Sequence, residues 1–131
     1  MPKNAPQPQV AEIILSIDDD TWVAEESAGP TLVGRLVAEF LGTFIFMLAG
    51  LGISAFALLL TNQQDGHLSS GLAWGLPLFI LTAVVGPISG AHFNPAITVG
   101  LWVAGRFPGR DVVFYILAQV AGAVGAGALV L

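Results

Sequence analysis

The residues with the clearest chemical character form one polar stretch, residues 89–100, between apolar segments. Asn94 is a good N-cap, and Pro95 suits the first helical position because its missing N–H needs no partner there. From Asn94 the sequence stays apolar for roughly ten residues, or about 15 Å of helix at 1.5 Å per residue. Since this length is half of a bilayer core, the pattern predicts a half-helix over residues 94–104.

An N-cap asparagine in a membrane has a definite chemical capacity. Its side-chain oxygen accepts from a backbone N–H, so the NH₂ group of Asn94 points away and can donate to a neutral molecule. The positive end of the half-helix dipole repels cations and protons. The preceding residues are not helical, so the carbonyls of Gly90, Ala91 and His92 can accept hydrogen bonds. This arrangement predicts a track for water or a polyol, and it needs no catalysis, metal or cofactor.

Composition indicates a membrane protein. Of the 131 residues, 55% are hydrophobic and 10% are charged, and the mean hydropathy is +0.81. Soluble domains carry about a quarter charged residues. The absence of cysteine excludes disulfides, thiol chemistry and cysteine metal sites, and four Lys and Arg give no basic patch for nucleic acid.

Three long apolar segments predict an all-α membrane protein with three transmembrane helices plus one re-entrant half-helix. The predicted spans are residues 33–60, 71–88 and 112–131. Gly86 and Pro87 are predicted to close the second span, and Asp111 to cap the third. The third span is still apolar at Leu131, which predicts a chain truncated at its C-terminus.

Residues 1–30 predict a disordered acidic tail, since prolines and a run of aspartates dominate them. A partner-binding segment around Trp22 is the alternative. The basic residues predict the orientation: Lys3, Arg35, Arg106 and Arg110 fall on one side after two crossings. That side is expected to be the cytoplasm of a multi-pass protein of the cell (inner) membrane, with a cytoplasmic N-terminus.

The polar stretch has a family resemblance. Residues 89–100 resemble the first signature loop of the aquaporin and glycerol-facilitator family, the major intrinsic proteins. Residues 38–44 look like the first span of that family, and residues 101–108 and 115–122 look like its bacterial water-channel members. The resemblance covers residues 33–131 and identifies residues 31–131 as the N-terminal half, or first repeat, of such a protein.

The resemblance implies two inverted repeats whose Asn-Pro-Ala starts meet at mid-membrane, with four channels in a homotetramer when full length. It places Asn94, Pro95 and Ala96 in the pore wall, together with the three acceptor carbonyls named above. The implied function is passive passage of water and small neutral solutes such as glycerol across the lipid bilayer, with this chain as half of a pore. From the tripeptide alone, a plain helix start remains the alternative.

Three further residues carry roles from the resemblance. Glu39 and Gln119 are expected to brace the re-entrant loop. For Glu39 the alternatives are a proton relay or a contact with the lipid headgroups. For Gln119 the alternative is a plain hydrogen bond between helices. Trp74 matches the outer constriction and favours glycerol, although an interfacial tryptophan fits the position too. Pro87 departs from the histidine that water channels often have there.

Two other functions compete with a water channel. A glycerol-facilitator-type channel is the nearer alternative, and a fragment that packs in the membrane without conducting is the other. A membrane enzyme has no support, because Glu39, His92 and Asp111 are scattered in sequence and form no acid–base or nucleophile arrangement.

Overall fold

The computed structural model describes residues 29–60 and 66–130, which form four α-helices. In chain order, α1 is Leu32–Leu60, α2 is Gly66–Ser89, α3 is Pro95–Val103 and α4 is Gly109–Val130. Helices α1, α2 and α4 are each long and apolar enough to cross a membrane, whereas α3 has nine residues. The predicted all-α fold, with three candidate spans and one half-helix, is therefore confirmed. The predicted acidic tail lies outside the described residues, apart from its last two positions, and stays a prediction.

The end of α2 differs from the sequence-based expectation. Gly86 and Pro87 do not close this helix, which begins five residues earlier than predicted and continues to Ser89. The helix tolerates Pro87 because a proline removes only one donor, and the next turn still forms: Gly90 N donates to the Gly86 carbonyl at 2.9 Å. The chain leaves the helix at Gly90, whose φ of +91° is easily adopted only by glycine.

The start of α4 also differs. The helix begins at Gly109, so Asp111 lies in its first turn and is not the cap that was predicted. The carboxylate of Asp111 instead accepts a hydrogen bond from the Arg35 guanidinium at 2.8 Å. A charge-assisted bond between groups that leave water together outweighs a local capping bond, and this explains the difference.

Helix α1 is the element on which the fold is assembled, since it packs along both α2 and α4. Close approach of α1 and α4 depends on Gly122, where a Cβ atom would lie 2.5 Å from the Phe40 carbonyl oxygen. Small residues at such crossings let helix backbones approach in membranes. The half-helix α3 packs against α4.

Two side-chain contacts show which helix ends lie at the same end of the bundle. The Arg35–Asp111 ion pair joins the starts of α1 and α4, and the Tyr115 hydroxyl donates to the Ser89 carbonyl at the end of α2, at 2.9 Å. The starts of α1 and α4 and the end of α2 therefore lie at the same end of the bundle. The chain therefore runs along the bundle and back before it enters the loop that precedes α3.

The start of α3 lies deep between the spans. The Phe93 ring fills the space left by Gly42, ten residues after the start of α1. Thr98 bonds Gln119, which lies ten residues after the start of α4. Ten helical residues rise about 15 Å, or half of the roughly 30 Å hydrocarbon core. The start of α3 therefore lies about 15 Å along α1 and α4 from their first residues.

Candidate functional site

The loop before α3 is held by one buried carboxylate. Glu39 is fully buried, and its Oε1 accepts hydrogen bonds from the Ser89 hydroxyl (2.6 Å) and the His92 backbone N–H (2.9 Å). Its Oε2 accepts from the Phe93 backbone N–H and from Gln119 Nε2, both at 2.8 Å. A carboxylate offers about four acceptor positions, so all of them are engaged. This complete set of donors offsets the cost of burying the group.

The backbone that Glu39 binds is locally strained. Ala91 and Phe93 have φ values of 50° and 49°, in the left-handed region that non-glycine residues rarely adopt. Each such residue costs on the order of 1–2 kcal/mol. The hydrogen bonds from His92 and Phe93 to Glu39 offset this cost, and the Ala91 N–H donates to the Ser89 hydroxyl at 3.1 Å.

Asn94 caps α3, as its sequence context predicts. Its backbone is extended, with φ −151° and ψ 125°, and Oδ1 accepts from the Ala96 N–H at 2.8 Å. Its Nδ2 group makes no hydrogen bond to residues 29–60 or 66–130, and the residue is exposed. The amide therefore presents an unpaired donor at the positive end of α3.

A groove of about 280 Å³ adjoins this donor, between α1 and α4. Its lining is apolar apart from three polar side chains, Thr43, Asn94 and Gln119; the other lining residues are Phe46, Met47, Phe93, Pro95, Val120, Ala123 and Val124. The Thr43 hydroxyl is buried and has no hydrogen-bond partner in the described part of the chain.

The predicted acceptor positions differ in accessibility. Gly90 is exposed, Ala91 is half-buried and His92 is only 5% exposed. The His92 side chain turns into the protein, where Nδ1 lies 3.0 Å from the Thr98 hydroxyl and the ring packs on Tyr115. The His92 side chain is therefore part of the buried network.

Trp74 lies apart from the groove. It is on α2, eight residues after Gly66, or about 12 Å along the helix axis. Its indole packs on Phe46 of α1 edge to face, with ring centroids 5.3 Å apart and planes at 72°. The structure thus brings Asn94 and Pro95 together with Glu39 and Gln119 around the loop, while Trp74 stands nearer the other end of the bundle.

Two buried residues are missing from the sequence-based site. Thr98 is fully buried; its hydroxyl donates to the Asn94 carbonyl at 3.2 Å and accepts from Gln119 Nε2 at 3.0 Å. Tyr115 is also fully buried and bonds Ser89. The spacing of Asp111, Tyr115 and Gln119, four residues apart, places them on one helix face and could have indicated this role.

A metal site requires several ligating side chains close together. Within residues 29–60 and 66–130, no three His, Asp or Glu side chains converge on a point where a metal ion could bind. The Glu39 carboxylate is fully buried and bonded to Ser89, His92, Phe93 and Gln119, an arrangement that favours the bracing role over a carboxylate extended to the headgroups.

The fold and the site define a class: an all-α membrane protein in which a short helix, preceded by a strained loop, begins between the spanning helices. Residues 26–131 match the family model described as Major intrinsic protein. The chain belongs to the major intrinsic protein family.

Two curated relatives resemble the chain closely. An Aquaporin Z from Photorhabdus laumondii subsp. laumondii is 42% identical over 98 residues, which is 75% of this chain and 42% of the relative. An Aquaporin Z from Brucella melitensis biotype 1 is 43% identical over 98 residues, or 75% of this chain and 43% of the relative. The chain therefore spans about two fifths of the length of these relatives.

Proposed function

We propose that this chain supplies one half of a passive channel for water and small neutral solutes. The observation that carries the proposal is the start of α3. There Asn94 caps a half-helix that begins between the spanning helices, and it keeps an unpaired NH₂ donor beside an open groove. A neutral, hydrogen-bonding solute is the kind of molecule that such a donor serves.

The electrostatics of this position favour neutral solutes over ions. A helix N-terminus carries roughly half of an elementary positive charge, and this positive end is directed at the passage. Cations and protons are repelled there, while water and polyols are not. Glu39 passes no protons in this proposal, because all four of its acceptor positions are occupied by donors from the loop and from Gln119.

The solute follows acceptors on the cytoplasmic side of Asn94. We assign this part of the path to the carbonyls of Gly90, Ala91 and His92, which accept no hydrogen bond within the described residues. A second repeat of opposite orientation completes the pore, and four pores form a tetramer, as the family resemblance implies. Water is the first solute we assign. Trp74, a flat apolar wall for the carbon face of a polyol, favours glycerol as the second.

The test is solute flux through liposomes. The chain is reconstituted alone and as a fusion to the C-terminal part of the Photorhabdus relative, and stopped-flow light scattering reports shrinkage in sucrose and swelling in glycerol. We expect the fusion to raise osmotic water permeability above that of empty liposomes. A fusion that inserts and folds but raises neither water nor glycerol flux refutes the channel and favours a non-conducting fragment.

The Asn94→Asp variant tests whether the flux depends on the NH₂ group of Asn94. Aspartate keeps the oxygen that caps α3 but loses the NH₂ group and adds a negative charge. A hydrogen bond worth about 0.5–1.5 kcal/mol changes a rate about two- to tenfold, so we expect water flux to fall by that factor. Asn62→Asp makes the same chemical change elsewhere in the chain and serves as the matched control. Equal fluxes in both variants contradict the assignment.

Orientation has its own test, because the chain contains no cysteine. Single cysteines at Asp65 and Arg106 lie on opposite sides of the membrane in the proposed topology. An impermeant maleimide added to intact cells should label only Asp65→Cys. Labelling of both sites from both sides means that the chain inserts in two orientations, and then two copies can supply both halves of a pore.

A further inference from the structure

We propose that Gly50 is a positioning residue: it determines how far the Trp74 indole extends into the passage, and so the preference between glycerol and water. This inference rests on the proposed channel function and on the place of Trp74 at its outer constriction. It concerns a contact between α1 and α2 that lies away from Asn94.

The contact is closer than any side chain at position 50 allows. A Cβ atom built on Gly50 would lie within 2.6 Å of three carbons of the Trp74 indole. Non-bonded carbon atoms prefer a separation of about 3.5–4.0 Å. The indole therefore occupies the volume that a methyl group would need, directly against the backbone of α1.

Phe46 holds the ring from a second direction. It lies one helical turn before Gly50 on α1, and its ring meets the indole edge to face. Both contacts come from α1, and Trp74 remains half-buried, so part of the residue is left exposed. At the proposed constriction, that exposed part faces the passage.

A methyl group at position 50 moves the ring in a known direction. The backbone of α1 is packed between α2 and α4, so the side chain of Trp74 yields and moves away from α1 by about 1 Å, the shortfall from normal carbon contact. This displacement narrows the passage. Glycerol is larger than water and loses more of its flux, because selectivity in such pores follows diameter and lining groups.

Neighbouring glycines provide matched controls. A Cβ atom on Gly52 or on Gly75 meets no atom within 4 Å. All three glycines lie inside helices, so replacement by alanine has the same intrinsic effect on helix stability at each position. Only Gly50→Ala adds a contact with Trp74, and a difference between the variants therefore reports that contact.

The first measurement follows the ring itself in the present chain. Trp22→Phe and Trp102→Phe leave Trp74 as the only tryptophan, in detergent micelles or liposomes. We expect Gly50→Ala to shift the emission maximum and to change acrylamide quenching, while Gly52→Ala changes neither. Identical spectra for the two variants overturn the positioning role, whatever the chain conducts.

The second measurement follows selectivity in the fusion described above. Displacing one aromatic contact changes a rate about two- to tenfold, so Gly50→Ala should lower the ratio of glycerol to water permeability by that factor. In the double variant Gly50→Ala/Trp74→Phe the smaller ring removes the clash, and its ratio should match that of Trp74→Phe alone. Equal ratios for Gly50→Ala and Gly52→Ala overturn the inference. A parent fusion that conducts neither solute refutes the channel instead, and with it the selectivity role, while the emission result still decides the positioning.

Discussion

Replacing Glu39 by glutamine tests how the loop before α3 is held, because the change preserves the side-chain shape and removes one acceptor oxygen. The carboxylate accepts from four donors, two of which are the backbone N–H groups of His92 and Phe93. The Ser89 hydroxyl can rotate and the Gln119 amide can flip to meet a new NH₂ group. A backbone N–H cannot, so one of the two loses its partner in either orientation of the glutamine.

The loss of loop stability in Glu39→Gln follows from the number of hydrogen bonds that are lost or weakened. One buried N–H left without a partner costs about 1–3 kcal/mol. The remaining bonds change from charge-assisted to neutral, which weakens each by up to about 1 kcal/mol. The lost N–H partner and about 1 kcal/mol of weakening together amount to about 2–4 kcal/mol of loop stability. The left-handed backbone of Ala91 and Phe93 then lacks the interactions that offset its strain, and the ordered loop becomes about 30- to 1,000-fold less favoured.

Hydrogen–deuterium exchange with mass spectrometry is the assay, read on peptides that cover residues 89–98. We expect exchange of the His92 and Phe93 amides to accelerate in Glu39→Gln, with smaller changes elsewhere in α1. Asp111→Asn is the matched control, since it neutralises another buried carboxylate that does not contact this loop. Exchange in residues 89–98 at the parent rate in Glu39→Gln would refute the bracing argument.

Three further predictions concern the packing around this loop, each read as a shift in thermal unfolding in detergent. Gly122→Ala should destabilise the bundle by about 1–3 kcal/mol, because its Cβ meets the α1 backbone. The control Gly127→Ala places its Cβ where nothing lies within 4 Å, so it should be neutral or stabilising. Equal melting temperatures for these two variants contradict the packing argument. Arg35→Met leaves the buried carboxylate of Asp111 without its closest partner and should lower the stability by about 1–3 kcal/mol. The double variant Arg35→Met/Asp111→Leu should recover most of that stability. A double variant that melts no higher than Arg35→Met contradicts a stabilising ion pair. Thr98→Val removes a fully buried hydroxyl that bonds three groups and should cost about 1–3 kcal/mol; an unchanged melting temperature shows that these bonds add nothing.

Much of the fold was predictable because its signals are local. The lengths of the apolar segments predict three spans, and Asn94 followed by Pro95 predicts the start of α3, since both capping and the proline constraint act within one turn. For α2 the predicted end at residue 88 is within one residue of Ser89, whereas the predicted start lies five residues after Gly66. Pro87 locally predicts a helix end, but it removes only one backbone donor, and the helix continues to Ser89.

The candidate site was predictable in part. Family resemblance assigned Glu39 to the loop, but the sequence does not show which atoms it bonds, or that Thr98 and Tyr115 complete the buried network. The sequence also does not show that the His92 side chain is buried. Its side chain reads as a polar group near a passage, and the structure turns it inward toward Thr98.

The sequence by itself determined that this chain is apolar enough for a membrane, that it carries three long segments and that a capped half-helix begins at Asn94. These properties depend on composition and on interactions between near neighbours. The tertiary structure alone decided the pairing of Arg35 with Asp111, 76 residues apart. It also decided that a Cβ atom at Gly50 would meet the Trp74 indole, while one at Gly52 would meet nothing within 4 Å. Such choices depend on which helix faces meet, and that is settled only when the helices pack together.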